Sequence, residues 1–465
     1  MSQLLRRVNR HRASIIMFVI MMGLYLCLFA CFFLPMGRNN FALRHASRTL
    51  GTTLLTWVVM TFVMQRIYGR FDVGRRKNKP IISSVLLSTV MTDLITYLQL
   101  QIMNVNENNN ATLILFGRDF KWLLVCMVLQ LIGIILFTHL GNTVYFRLHP
   151  PQDTLVIYGD LQDARETLSK LSRYALQWRV TDCVSQDEPD LIERIRANQV
   201  ILLDKVTAEN QRALMIHCYN LQKDVILRSQ LEDVLLSNAG ELTVVDRPFL
   251  SMEYRKMTLT QRIIKRLSDI GVSALVLVVL SPLLALIGLA IRLEDGGKVL
   301  FRQERMSVNG RIFRICKFRT MKEKDSAKTH QVSAGVDDDR ITRVGRFLRR
   351  SRLDELPQMW NILMGDMTLV GPRPEMLDNI RKYKEQLPDF VYREKMKAGL
   401  TGLAQIEGKY NTTPEDKLML DLMYIENFSI WLDIKLLFRT LTVFFRSDST
   451  EGFQADGASK EENPQ

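Results

Sequence analysis

The sequence predicts three architectures in succession: a membrane α-helical N-terminal bundle over residues 1–150, an α/β Rossmann-like central module over 151–250, and a mixed α/β unit over 258–446 that carries a re-entrant membrane helix. Three observations predict it. Apolar residues in the first third gather into runs near the length of a bilayer; the next hundred residues alternate short β-branched runs with polar, helix-compatible stretches; and a broken apolar run precedes a region dense in short charged motifs. The tail over 447–465 is polar and is expected to be disordered.

The four opening runs are Ser14–Met36, Gly51–Val63, Ile81–Val105 and Trp122–Leu140. The second is short unless it extends from Arg48 to Gln65. Arg6, Arg7, Arg10 and Arg12 precede the first run, and Arg66, Arg70, Arg75, Arg76, Lys77 and Lys79 fill the second loop. Both segments therefore read as cytoplasmic, although Arg38, Arg44 and Arg48 in the first loop weaken the bias. Four spans with both ends inside fit best. A net charge of +13 would suit a nucleic-acid binder or a protein facing anionic lipid and phosphorylated substrates, and the membrane runs favour the second. No nucleic-acid partner is expected. The six cysteines contain no C-x-x-C pair, so neither a zinc site nor a disulfide framework is indicated.

In the central module the runs TLVIYGD, QVILLD, DVILRS and ELTVVD predict strands of a parallel sheet. The first ends in Gly159-Asp160-Leu161-Gln162-Asp163, which lacks the further glycines that let a pyrophosphate approach the backbone. The pair Tyr219-x-x-x-Lys223 has the spacing of a dehydrogenase catalytic pair without that glycine context. A cofactor-free module for regulation or self-association is expected.

The run Ile270–Ile291 is broken at Ser281-Pro282 and flanked by cations on both sides: Arg262, Lys265 and Arg266 before it, Arg292, Lys298 and Arg302 after. Proline removes a backbone donor and kinks the helix, and basic flanks at both ends suit a helix that dips into the bilayer and returns. The alternative is an ordinary kinked span.

Short motifs follow. In Cys316-Lys317-Phe318-Arg319-Thr320-Met321, strand alternation would put Lys317 and Arg319 on one face, where paired cations suit a diphosphate. Arg346, Arg349, Arg350 and Arg352 lead into Asp354-Glu355. Cations keep both carboxylates ionised and gather phosphate, and an ionised carboxylate can attack phosphorus while its neighbour holds a metal or handles a proton. A solvated surface salt bridge is the alternative for such a pair. Prolines on both sides of Arg373 fix the backbone that presents its guanidinium, and the glycines of Gly399-Leu400-Thr401-Gly402 permit close approach of a ligand.

The ordered motifs KFRTM, DDRIT, RRSRLDELPQ, NILMGDM, LVGPRPE and GLTGLAQ resemble the bacterial sugar transferase family, the monotopic polyprenyl-phosphate phosphoglycosyl transferases, over about residues 258–446. The four spans and the incomplete Rossmann-like module resemble its large membrane-anchored subclass. The resemblance implies a monotopic catalytic domain on the cytoplasmic face of the bacterial inner membrane, with Ser281-Pro282 as the break of the re-entrant helix. It implies transfer of a hexose 1-phosphate from a UDP-hexose to undecaprenyl phosphate with release of UMP, initiating capsule, exopolysaccharide or O-antigen repeat units. By motif position, Asp354 is the nucleophile and Glu355 its partner at a Mg²⁺ site formed by the two. Lys317, Arg319, Arg349 and Arg373 are the phosphate contacts. Membrane lipid and a second copy of the chain, as a homo-oligomer, are the further partners expected. One departure is Arg352, where many relatives carry Ser. A glycosyltransferase with a D-x-D site at Asp337-Asp338-Asp339, or a scaffold with a decayed site, are the competing readings. The motifs do not fix the sugar. The run Leu418–Phe445 suits interfacial helices, with domain core as the alternative.

Overall fold

Four apolar helices open the chain in the computed structural model, which describes residues 2–69, 71–74, 78–107, 118–244, 246–252, 257–322, 340–408 and 412–443. The charges at Arg70 and 75–77, the Asp337–Asp339 run and the expected tail over 447–465 lie outside the described residues. Helices α1 (Ser2–Asn39), α2 (Arg48–Tyr68), α3 (Asn78–Glu107) and α4 (Arg118–Leu148) contain spans of 25, 21, 26 and 30 residues that are long and apolar enough to cross a membrane. The second reaches Arg48 and Tyr68, because Ser47 caps its first turn by accepting from the Leu50 amide at 3.0 Å. The protein is a membrane protein. Its bundle turns polar groups inward: Trp57 Nε1 donates to Asp93 Oδ1 at 3.3 Å, and Asp93 is fully buried.

The central sheet has β1 (Gln152–Tyr158), β2 (Trp178–Ser185), β3 (Val200–Asp204) and β4 (Asp224–Leu227), all parallel, in the order β2-β1-β3-β4. Helices α5 (Leu161–Leu171), α6 (Leu191–Ala197) and α7 (Ala208–Asn220) connect them. Strand β2 escapes the sequence pattern because it is an edge strand whose Arg179, Thr181 and Asp182 break the apolar run. ELTVV does not join this sheet. It forms β5 (Gly240–Val244), paired antiparallel with β6 (Arg247–Ser251), since a tight connection can only return the chain alongside itself. At Gly159 a Cβ would stand 2.2 Å from the Lys205 carbonyl oxygen, so the glycine serves the close approach of two strand ends. Asp160 caps α5, its carboxylate accepting from the Gln162 amide. Tyr219 is exposed while Lys223 Nζ donates to the Arg196 and Asn198 carbonyls, so the Tyr-Lys spacing builds no pair.

The second compact unit begins at Leu231, with α8 (Leu231–Leu236). Val234 packs into the same core as Phe313, Ile362 and Leu422, and Asn238 Nδ2 donates to the Glu426 carbonyl at 3.0 Å. Then come α9 (Leu259–Val279) and α10 (Ser281–Asp295), an apolar pair bent by 62°. Pro282 lies in the first turn of α10, where its missing N–H costs no helix bond. The inner stripe of α9 is polar and anchored: Lys265 Nζ donates to the Val370 carbonyl at 2.9 Å and pairs with Asp433, and Asp269 Oδ1 accepts from the Leu369 amide at 2.9 Å.

The remaining elements are the antiparallel hairpin β7 (Leu300–Met306) and β8 (Ile312–Phe318), α11 (Arg343–Ser351), α12 (Gln358–Met364), β9 (Thr368–Val370), α13 (Leu377–Gln386), β10 (Gly399–Thr401), α14 (Leu403–Glu407), α15 (Pro414–Glu426) and α16 (Ile430–Val443). Leu418, Leu422 and Leu436 are fully buried in the core of this unit. These leucines of the apolar run thus serve domain packing, while Trp431 at the start of α16 is half exposed.

Candidate active site

Asp354 and Glu355 occupy a single 3-10 turn, Leu353–Glu355, between α11 and α12. Arg352 makes the corner with φ 55° and ψ 17°, a left-handed conformation that a long side chain rarely adopts. The turn swings the two carboxylates off the helix axis into a cluster of cations. Lys317 Nζ lies 3.2 Å and Arg373 Nη2 2.9 Å from the same Glu355 Oε1. The Asp354 carboxylate accepts no hydrogen bond from the described residues and is only partly buried, so it is open to a reactant.

Three local devices aim these side chains. Asn361 on α12 accepts from the Cys316 amide at 2.9 Å and donates to the Arg314 carbonyl at 2.8 Å, locking β8 and therefore Lys317 to the helix that follows the dyad. Thr320 Oγ1 accepts from Arg349 Nε at 2.9 Å, and Gly345 lets α11 meet Thr320, whose carbonyl oxygen would lie 2.2 Å from a Cβ there. The Arg373 loop is held from behind. Arg393 Nη2 donates to the Arg373 carbonyl at 2.8 Å while pairing with buried Asp421, and Arg305 Nη1 donates to the Pro374 carbonyl at 3.3 Å.

The glycines of the last motif let this loop approach a second stretch of backbone. A Cβ on Gly399 would lie 2.1 Å from the Gly371 amide nitrogen, and one on Gly402 would lie 2.3 Å from the Gly371 carbonyl oxygen. With β9 and β10 pairing parallel beside them, two backbones meet where side chains cannot fit. Lys317 and Arg319 take different partners. Lys317 turns to Glu355, whereas Arg319, one residue beyond the end of β8, is buried and pairs with Asp295 at the end of α10.

The electrostatics separate the two carboxylates. Burial pushes Asp354 up to about 6, and repulsion from Glu355 adds to it against the pull of Lys317, Arg349 and Arg373. For Glu355 burial also opposes the charge, but the attraction of Lys317, Arg373 and Arg352 outweighs it and holds the acid well below the usual carboxylate range. Burial pulls Lys317 down, and Glu355 resists that pull. Arg373 is raised, chiefly by Glu355. One acid is thus fixed as an anion while its neighbour titrates just below neutrality. Four cations, Lys317, Arg349, Arg352 and Arg373, act on these two carboxylates, and the surplus positive charge suits a phosphorylated ligand.

Among the described residues no three His, Cys, Asp or Glu side chains gather as a metal cage. A dyad alone fits a divalent ion that takes its other ligands from water and from substrate phosphates, the usual habit of Mg²⁺.

The profile described as "Bacterial sugar transferase" matches residues 260–447. A UDP-glucose:undecaprenyl-phosphate glucose-1-phosphate transferase of Caulobacter vibrioides is 42% identical over 191 residues, 40% of this chain and 71% of the relative. The chain belongs to the bacterial sugar transferase family. A transferase of the same description from Escherichia coli is 38% identical over 224 residues, 47% of this chain, and the match spans less than half, 46%, of that relative's length. A UDP-N-acetylgalactosamine-undecaprenyl-phosphate N-acetylgalactosaminephosphotransferase of Aeromonas hydrophila is 31% identical over 307 residues, 64% of this chain and 69% of the relative.

Sequence reasoning reached the dyad and its cations but missed Asn361, Thr320, Arg305, Arg393 and Asp421. The first two sit inside motifs already singled out; Asn361, a polar residue amid apolar ones, carried a signal, and Thr320, beside Arg319, carried none. The other three are ordinary charges scattered over more than a hundred residues, and only folding joins them.

Proposed function

We propose that this protein transfers a hexose 1-phosphate from a UDP-hexose to undecaprenyl phosphate, releasing UMP, and so begins a surface-glycan repeat unit. The observation that carries the reading is the open Asp354 carboxylate beside a permanently ionised Glu355 within a surplus of cations. The matching relatives named for this reaction support it.

In the first half-reaction an Asp354 oxygen attacks the β-phosphorus, the bond from that phosphorus to the bridging oxygen breaks, and UMP leaves with the electron pair. In the second, a phosphate oxygen of undecaprenyl phosphate attacks the same phosphorus and the Asp354–phosphorus bond breaks, restoring the carboxylate. Lys317, Arg349 and Arg373 neutralise and orient the diphosphate. Arg319, engaged by Asp295, is assigned to fastening the end of α10 to the site. Asp354 and Glu355 would hold Mg²⁺, whose contribution is to offset charge on the phosphates. The sugar is left open by relatives named for glucose and for N-acetylgalactosamine.

Residues 258–446, with α8 packed into their core, are assigned the chemistry, 1–150 the anchor, and the part of 151–250 that precedes Leu231 regulation or self-association as a homo-oligomer. The catalytic part is placed on the cytoplasmic face of the inner membrane, with α9 and α10 entering and returning. A reporter fused after Gln465 that works only outside the cell would overturn that placement. The chemistry is tested by incubating the purified protein with single UDP-sugars. UMP release and a phosphosugar adduct on the peptide containing Asp354 are expected before acceptor is added, and a polyprenyl diphosphosugar afterwards. Release of UDP in place of UMP would favour a direct glycosyltransferase.

A further inference from the structure

The arginines that precede the dyad do not all serve it. Arg349 bonds Thr320 and, with Arg352, acts electrostatically on the carboxylates. Arg343, Arg346 and Arg350 are exposed on α11, and with Phe347, which is 65% exposed, they follow the i, i+3, i+4, i+7 spacing of one helical face. The opposite face is apolar: Val344 and Leu348 pack on Ile287 and Ile291 of α10.

That packing sets where the arginine face lies. Helix α10 is the second arm of the bent apolar pair, and its outward Leu286, Leu289 and Leu293 are exposed. Its end also builds the start of α11, because Glu294 Oε1 accepts from the Arg343 amide at 2.7 Å and from the Val344 amide at 3.2 Å. Helix α11 therefore starts beside the end of α10, where the apolar run stops, and with the pair in the bilayer that point lies at headgroup depth whether the pair crosses or returns. Three arginines around one phenyl group are a basic amphipathic surface of the kind that lies on anionic bilayers.

We propose that the face formed by Arg343, Arg346, Phe347 and Arg350 docks on anionic phospholipid headgroups and fixes the height of the Asp354–Glu355 turn, which follows α11 directly. The inference rests on the bent pair lying in the bilayer and not on the transfer chemistry. Its test therefore reads α11 itself and can fail while the chemistry stands, or the reverse. Full-length protein is placed in nanodiscs of phosphatidylcholine alone or with about one third phosphatidylglycerol, and amide hydrogen exchange is followed on the peptide spanning residues 343–351. With each arginine near an anionic surface worth about a fivefold preference, exchange should slow at least tenfold in the anionic discs and recover in high salt.

Arg343→Gln, Arg346→Gln and Arg350→Gln combined should abolish the dependence on lipid charge and leave UMP release in detergent within twofold of the parent. The triple Lys variant should keep the dependence, since a headgroup layer needs charge and not a planar fork. Equal exchange of the parent in both discs overturns the proposal, as does a Gln variant that remains protected. So does full protection in neutral discs on adding undecaprenyl phosphate, which would make the acceptor the occupant. Loss of the dependence in the Lys variant also overturns it, because it points to one shaped ligand.

Discussion

Asp354→Asn should separate activity from stability, moving them in opposite directions. In the folded protein burial and the charge of Glu355 raise this acid from its ordinary 3.8 to about 6. An acid with a raised pKa is held in the ionised form at a cost. Stability is fullest below 3.8, declines as pH rises from there to about 6, and stays reduced above. The interval corresponds to on the order of 3 kcal/mol at neutral pH. An amide of the same shape removes that cost, so thermal unfolding of the detergent-solubilised variant at pH 7.5 should rise by several degrees, at about 2–4 °C per kcal/mol for a domain of this size. The gain should shrink toward zero as pH falls to 4. UMP release should be abolished, since the amide has no anionic oxygen to bond phosphorus, and in the parent it should fall as pH drops through about 6. A variant that releases UMP near the normal rate refutes direct attack by this carboxylate. A variant less stable than the parent at pH 7.5 refutes the electrostatic account of the site.

Three further outcomes follow from the geometry. Arg373→Lys keeps charge but loses the fork that reaches Glu355 at 2.9 Å, so kcat/KM for the UDP-sugar should fall about 10- to 100-fold, with thermal stability little changed. Lys265→Met strands Asp433 in a nearly dry site and should cost about 3–5 kcal/mol; Lys265→Met with Asp433→Leu should recover much of the melting temperature, and no recovery would show that the pair is not the cause. Gly399→Ala brings a methyl group against the Gly371 amide 2.1 Å away, so it should destabilise by about 1–3 kcal/mol and depress UMP release through the displaced Arg373 loop. Normal release from a folded Gly399→Ala protein would remove the loop from the argument.

The sequence by itself determined the membrane helices, the break at Pro282, the parallel pairing of three of the central strands and the dyad with its neighbouring cations. Each is written over a short stretch of chain: about twenty apolar residues, a proline, alternating β-branched runs, adjacent acids amid arginines. It could not say which arginine faces where, because helical spacing distinguishes faces and does not say which face meets the carboxylates. Only the packing of Val344 and Leu348 on α10 turns Arg343, Arg346 and Arg350 outward. Nor could strand alternation foresee that β8 stops at Phe318 and hands Arg319 to Asp295. The separation of the two acids is likewise tertiary. Asp354 and Glu355 are chemical near-equals and neighbours in sequence, but the field at each carboxylate is a sum over Lys317, Arg349, Arg352 and Arg373 weighted by distance and by exclusion of water, and those distances exist only once β8, α11 and the Arg373 loop have met.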